Sequence, residues 1–135
     1  MNGSDAFLDS NVVLYLTSPS EAKAARVESL LAAGPIVSVQ VLNEFAAVAR
    51  RKFRMEWLEI REMLSTIRAV CTVYPVSIEI HERGIRIAER YGFGVYDSMI
   101  VAAALEAGCS TLYSEDMQDG QRIEDLRIIN PFVTR

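Results

Sequence analysis

The chain has 135 residues, with 14 Lys and Arg against 18 Asp and Glu, which gives a formal net charge of −4 at pH 7. Apolar residues make up 50% and charged residues 24%, a composition that excludes intrinsic disorder and predicts one globular domain over residues 1–135. No apolar run approaches the roughly 18 residues that span a membrane, and the first residues lack the features of a signal peptide, so we expect a cytoplasmic protein without membrane contact.

The counts of histidine and cysteine exclude some kinds of metal and redox site. The single histidine, His81, excludes a zinc site built on two histidines. Cys71 and Cys109 lack the spacing of a metal or redox motif and are expected to be reduced core residues. The mild acidity argues against a broad basic surface for duplex nucleic acid, but not against an acidic pocket that works through metal ions.

In chain order, short apolar strands alternate with helices. Strands are predicted at residues 6–8, 36–39, 70–76, 111–113 and 126–129. Helices are predicted from residue 11 and over residues 20–33, 41–53, 55–69, 80–91 and 97–107. The last of these helices is apolar almost all round, which is typical of a central, buried helix. The alternation predicts an α/β fold in which helices cover both faces of a parallel sheet.

Acidic residues follow the predicted strands, where parallel sheets bind their ligands. They are Asp9, Glu44, Asp97 and Asp116. Each also has a structural interpretation: Asp9 and Asp97 as helix caps, and Asp116 as a turn residue. Glu44 fits such an interpretation less well, because its neighbours on the helix are apolar and a buried carboxylate is costly without a partner.

The sequence offers two of these acids, Asp97 and Asp116, no obvious local basic partner. No lysine follows Lys52, and no arginine lies between Arg90 and Arg122. Carboxylates that converge without a base repel one another, and a hard divalent cation with oxygen ligands resolves that conflict. Mg²⁺ or Mn²⁺ held by carboxylates is a standard device for phosphodiester hydrolysis, so the pattern favours a metal-phosphate site over scattered caps.

Four short motifs connect these acids to a known family. They are FLDSN at residues 7–11, VLNEF at 41–45, YDSMIVAAA at 96–104 and LYSED at 112–116. In this order and spacing, the chain resembles PIN-domain ribonucleases, and within them the VapC-type toxins of bacterial toxin–antitoxin pairs. The resemblance implies a PIN-like three-layer α/β fold, with a central parallel sheet flanked by helices.

The resemblance also implies roles for particular residues. Asp9, Asp97 and Asp116 would hold the metal, and Glu44 would bind metal or position the attacking water. Asn11 matches the residue that supports the first Asp by a hydrogen bond. The remaining assignments are Ser114, which would orient Asp116, and Asp119, which we interpret as a turn residue in preference to a metal ligand.

The activity implied by the resemblance is endonucleolytic hydrolysis of RNA with Mg²⁺ or Mn²⁺, which in a toxin inhibits translation. The implied partners are the RNA substrate, a second copy of the chain in a homodimer, and a small antitoxin that blocks the acidic pocket. A PIN nuclease of RNA maturation remains an alternative, as does a PIN fold that only binds RNA or protein.

Two further features remain open at this point. Arg50, Arg51, Lys52 and Arg54 form the densest basic run, which is either a phosphate-contacting rim beside the pocket or a solvated helix end. Trp57, together with Phe53, could stack on bases, although the place of Trp57 in an apolar helical stripe favours packing. A phosphoacceptor signalling domain is disfavoured, because such domains need a lysine after a late strand.

Overall fold

The sheet is the centre of the molecule in the computed structural model, which describes residues 5–133. Its strands are Ala6–Leu8 (β1), Ile36–Ser38 (β2), Thr72–Tyr74 (β3), Thr111–Tyr113 (β4), Arg122–Ile123 (β5) and Leu126–Ile129 (β6). Their order across the sheet is β3-β2-β1-β4-β6-β5. All neighbouring pairs are parallel except β5 with β6. The predicted α/β fold with a central, mostly parallel sheet is therefore confirmed.

One strand was not expected from the sequence. β5 pairs antiparallel with β6 across a tight connection in which Glu124 has a φ of 54°. Two residues cannot display the alternating pattern that identifies a strand, so β5 is visible only through its pairing. The predicted parallel sheet therefore carries one antiparallel pair, at this edge.

The helices connect the strands and cover both sides of the sheet. They are Ser10–Val13 (α1), Glu21–Ala32 (α2), Val39–Arg51 (α3), Trp57–Val70 (α4), Ile78–Tyr91 (α5) and Val95–Glu106 (α6), with a 3₁₀ helix at Leu14–Thr17. Ser20, Ser38 and Ser77 cap α2, α3 and α5 by accepting a hydrogen bond from the backbone of the first turn. No helix between residues 5 and 133 is long and apolar enough to cross a membrane.

The core lies between the sheet and these helices. Phe7 and Leu8 of β1 and Leu112 of β4 are fully buried, as expected for strands covered on both faces. Helix α6 is buried along most of its length, which confirms the prediction of a central helix. It begins two residues earlier than predicted, with Gly94 as its N-cap, so the interpretation of Asp97 as the cap is wrong.

Candidate acidic site

The sheet order brings three strand ends together. β1 lies between β2 and β4 and is parallel to both, so the carboxyl ends of these strands face the same edge. Asp9 directly follows β1, and Glu44 lies in the second turn of α3, the helix that follows β2. Asp116 is the third residue after β4, and Asp97 lies in the first turn of α6. All four predicted acids are therefore carried by elements that begin or end at this edge.

Asp9 is the most buried of the four acids. Its residue surface is only 4% exposed, and desolvation by burial raises its pKa to about 6. Hydrogen bonds from Ser114 and from the Ser10 backbone counteract that rise, whereas the charges of Asp97 and Glu44 add to it. A carboxylate kept in this position is destabilising unless a cation or a proton compensates its charge.

Asp97 connects the remaining acid to this group. Burial raises its pKa, and the neighbouring charge of Asp116 raises it further. Asp97 thus interacts electrostatically with both Asp9 and Asp116. Within the described part of the chain, none of the four acids takes part in an ion pair.

Glu44 is held by two residues to which the sequence analysis gave no role. Ser10 Oγ donates to Glu44 Oε1 at 3.0 Å. Gln40 Nε2 lies 3.5 Å from Glu44 Oε2 and donates to the Tyr96 carbonyl at 3.0 Å. Gln40 was detectable, since it precedes Glu44 by four residues on one helix and so shares its face.

A small hydrogen-bond network surrounds the Asp9 carboxylate. The Ser10 backbone N–H donates to Oδ1 at 2.7 Å, so Asp9 also caps α1, as one of its structural interpretations predicted. Asn11 Nδ2 donates to Oδ2 at 3.3 Å, as the resemblance implies. Ser114 Oγ donates to the same Oδ2 at 2.9 Å. The expectation that Ser114 orients Asp116 is therefore corrected, because its hydroxyl serves Asp9.

Two further polar residues differ in what they contribute. Ser98 follows Asp97 and is fully buried, and its hydroxyl has no hydrogen-bond partner among the described residues. A buried orphan hydroxyl is costly, so this position calls for a polar group that the protein does not supply. Asp119 instead accepts a hydrogen bond from the Asn130 backbone at 2.8 Å, which agrees with a structural role in its turn.

The basic run at the end of α3 contains one arginine with structural contacts and three exposed cations. Arg50 Nη1 donates to the Met55 carbonyl at 2.9 Å, and its guanidinium lies 5.1 Å from the centroid of the Trp57 ring. Arg50 therefore holds the α3–α4 connection together. Arg51, Lys52 and Arg54 are exposed, so they could meet a ligand.

The donor set suits a hard divalent cation. It offers carboxylate oxygens and a buried acid whose charge is uncompensated. Across residues 5–133, no group of three or more His, Cys, Asp or Glu side chains is close enough together to hold a metal ion in the present conformation. An ion would therefore have to draw the carboxylates inward. Mutual repulsion of the carboxylates opposes that movement, and the charge of a bound cation would offset the repulsion.

Comparison with known proteins was made for both sequence and fold. The model of the PIN domain family matches residues 6–121. A toxin–antitoxin complex from Klebsiella pneumoniae is 23% identical over 94% of this chain and 98% of that chain, with a TM-score of 0.71. The sarcin–ricin-loop-cleaving toxin VapC20 of Mycobacterium tuberculosis is 20% identical over 82% and 89%, with a TM-score of 0.66.

A third similar structure is VapBC2 of Rickettsia felis bound to promoter DNA, which is 18% identical over 91% of this chain and 96% of that chain, with a TM-score of 0.67. At these identities the similarity demonstrates a shared fold. A search of curated protein sequences gave no match.

Proposed function

This chain belongs to the PIN domain family, and from that membership we propose that it is a metal-dependent endoribonuclease. The observation that carries the proposal is the state of Asp9, a buried carboxylate without a cation partner that feels the charges of Asp97 and Glu44. Such an arrangement is costly for folding, and it is typical of sites that gain their stability from a bound ion.

Three acids are proposed to hold Mg²⁺ or Mn²⁺: Asp9, Asp97 and Asp116. When bound, the ion supplies positive charge that stabilises the negative charge developing on the phosphate during hydrolysis. Asp9 accepts hydrogen bonds from two serines and one asparagine, so its carboxylate is held in one orientation before any ligand arrives. Preorganisation of this kind lowers the cost of assembling the site.

Glu44 has a different proposed role. Ser10 and Gln40 contact separate oxygens of its carboxylate, which leaves lone pairs on both oxygens free to accept further hydrogen bonds. We propose that Glu44 orients the attacking water through one of these oxygens. The attack on phosphorus then needs no nucleophilic side chain, and the leaving oxygen departs on the opposite side of the phosphate.

We further propose that the enzyme is the toxin of a toxin–antitoxin pair and inhibits translation. The structures that share its fold support this role, since they include a toxin that cleaves the sarcin–ricin loop and a toxin–antitoxin complex. A small antitoxin and a homodimer are the corresponding partners. A role in RNA maturation predicts the same chemistry on a different RNA.

Mapping of RNA 5′ ends after brief induction in bacteria tests the proposal. Wild type is compared with Asp97→Asn, which keeps the shape of the side chain but removes its charge. Asp125→Asn is the matched control, since Asp125 is an exposed acid between β5 and β6. New ends with wild type and with the control, but not with Asp97→Asn, are expected.

The position of the new ends also separates the two biological roles. Ends in one or a few RNAs of the translation machinery, together with growth arrest, support a toxin, whereas ends at precursor boundaries support maturation. Equal cleavage by Asp97→Asn would contradict the acidic site. Normal growth without new ends would contradict the nuclease proposal itself.

A further inference from the structure

A groove runs from the acidic site along one side of the molecule. It has a volume of about 420 Å³, within the roughly 300–1,000 Å³ of typical ligand pockets. Asn11, which contacts Asp9, and the site acid Asp116 both line it. Asn11 of α1 and Val48 of α3 line it, together with residues of the 3₁₀ helix, and we call it the α1–α3 groove. A ligand in the groove would therefore lie directly beside the acids.

The groove combines an aromatic surface with a cation. Phe53 lines it and is 46% exposed, so its side chain is accessible from solvent. Lys52 also lines the groove, with Nζ 5.9 Å from the centroid of the Phe53 ring. Within residues 5–133, Lys52 forms no ion pair. Aromatic faces next to free cations are the combination that binds single-stranded nucleic acid, because bases stack on the rings and phosphates pair with the cations.

Hydrogen bonds hold three other lining residues of the groove in place. Tyr15 Oη donates to Glu115 Oε1 at 2.6 Å, and Lys23 Nζ lies 3.5 Å from Glu115 Oε2. The Glu115 backbone N–H donates to Asn11 Oδ1 at 3.1 Å. Tyr15, Glu115 and Asn11 all line the groove. The groove is therefore formed before a ligand enters it, which lowers the entropic cost of binding.

Trp57, the other exposed aromatic residue near the basic run, has a different environment. It is 55% exposed but does not line the groove, and the guanidinium of Arg50 lies over its ring. The geometry thus separates Phe53 from Trp57, which the sequence had grouped as one possible stacking surface. Only Phe53 is continuous with the acidic site.

We propose that the α1–α3 groove binds the nucleotide next to the scissile phosphate of single-stranded RNA. The base stacks on Phe53, and the Lys52 ammonium pairs with the phosphate on the far side of that nucleotide. This inference rests on the proposed nuclease function and adds Phe53 and Lys52 as the residues that contact the substrate beside the acids. Duplex RNA is excluded from the groove, because its bases are already stacked on one another and their faces are inaccessible.

Binding of two labelled oligonucleotides to the full chain tests this inference. One is a pool of random single-stranded RNA 8-mers, and the other is an abasic 8-mer with the same charge. Fluorescence anisotropy is measured in the Asp97→Asn background, so that cleavage does not consume the probe. We expect the base-containing pool to bind about ten-fold more tightly than the abasic strand, as stacking of one base provides.

Variants assign this preference to the groove. Phe53→Ala should lower binding of the RNA pool about ten-fold and leave binding of the abasic strand unchanged, whereas Trp57→Ala should alter neither. Lys52→Gln should weaken both probes and reduce the dependence of binding on salt, because one phosphate contact is lost. Arg61→Gln, an exposed cation on α4, is the matched control and should change neither probe.

The possible failures are distinguishable. Cleavage by wild type with an unchanged KM and kcat in Phe53→Ala overturns the groove assignment alone. Base-dependent binding without cleavage overturns the proposed nuclease function alone, and absence of RNA binding and cleavage overturns both. If Phe53→Ala leaves RNA binding intact but releases a protein partner, the groove accommodates a protein segment and the RNA assignment is wrong.

Discussion

Ser10 Oγ donates a hydrogen bond to Glu44 Oε1 at 3.0 Å, which joins the start of α1 to α3 across 34 residues of sequence. The backbone N–H of the same serine donates to Asp9. One residue therefore orients two of the four site acids. This dual contact fixes the position of the Asp9 carboxylate relative to that of Glu44, although the two residues follow different strands.

Removal of the Ser10 hydroxyl should reduce catalysis. Ser10→Ala leaves Glu44 without its shortest contact, and a hydrogen bond to a charged group is worth about 1.5–3 kcal/mol, or roughly ten-fold or more in rate. We expect kcat for RNA cleavage to fall by that factor and the melting temperature measured by circular dichroism to fall by a few degrees, because the lost hydrogen bond also stabilises the fold. Ser10→Thr retains a hydroxyl and should retain most of the activity. An unchanged kcat in Ser10→Ala would show that Glu44 does not depend on this contact.

Metal binding should stabilise the fold as well as support cleavage. At a concentration of about 100 times its Kd, Mg²⁺ should add about 2.7 kcal/mol to the free energy of unfolding, which raises the melting temperature by several degrees. Differential scanning fluorimetry with Mg²⁺ or with EDTA measures this shift, and EDTA should also stop cleavage. Asp9→Asn should lose the shift, and Asp125→Asn should keep it. Full activity in EDTA would refute a metal-dependent mechanism.

Without metal, the protein should become more stable as the pH falls from neutrality. The folded-state pKa of Asp9 is about 6, above its ordinary value of 3.8, so the folded state binds more protons than the unfolded state between these values. Ionised Asp9 therefore destabilises the fold above about pH 6, and its protonation removes that cost. We expect a gain of about 1 kcal/mol between about pH 7.5 and pH 5.

Urea unfolding in EDTA at both pH values measures this gain. The raised pKa of Asp97 acts in the same direction, so Asp9→Asn should reduce the pH dependence without abolishing it entirely. A protein that is more stable at pH 7.5 than at pH 5, in the absence of divalent ions, would contradict the burial of an uncompensated carboxylate.

The packing of α5 against α6 should also be sensitive to one methyl group. A Cβ added at Gly84 would lie 2.5 Å from Met99 Sδ and 2.9 Å from Met99 Cε. Overpacking costs about 1–3 kcal/mol, whereas the better helix propensity of Ala returns about 1 kcal/mol. We expect Gly84→Ala to lower the free energy of unfolding by about 1 kcal/mol.

Asp97 lies in the first turn of α6. A displacement of α6 by the added methyl group should therefore lower cleavage as well as stability. Chemical denaturation and kcat are measured for Gly84→Ala, for Met99→Ala and for the double variant. The double variant should be less destabilised than the sum of the single variants, since the shortened side chain leaves room for the added methyl group. Strict additivity would indicate that Met99 is not the obstructing group.

The strand positions and the four acids were predictable because they depend on short stretches of sequence. β1, β4 and β6 have the predicted bounds, since each is a short apolar run between polar turns. Ser20, where the second helix was predicted to begin, caps α2 for an equally local reason. β5 was missed, because a two-residue strand has no periodic pattern and exists only through its pairing with β6.

The partners of the site side chains could not be predicted in this way. The Ser114 hydroxyl donates to Asp9, which is 105 residues away, and was expected to serve the nearby Asp116. Gln40 reaches the Tyr96 carbonyl across 56 residues. Local pattern thus identified which acids follow the strands and which elements carry them, because periodicity and turn residues act over a few positions. Long-range packing determined their burial, their hydrogen bonds and the groove beside them, because those properties arise only when distant segments come into contact.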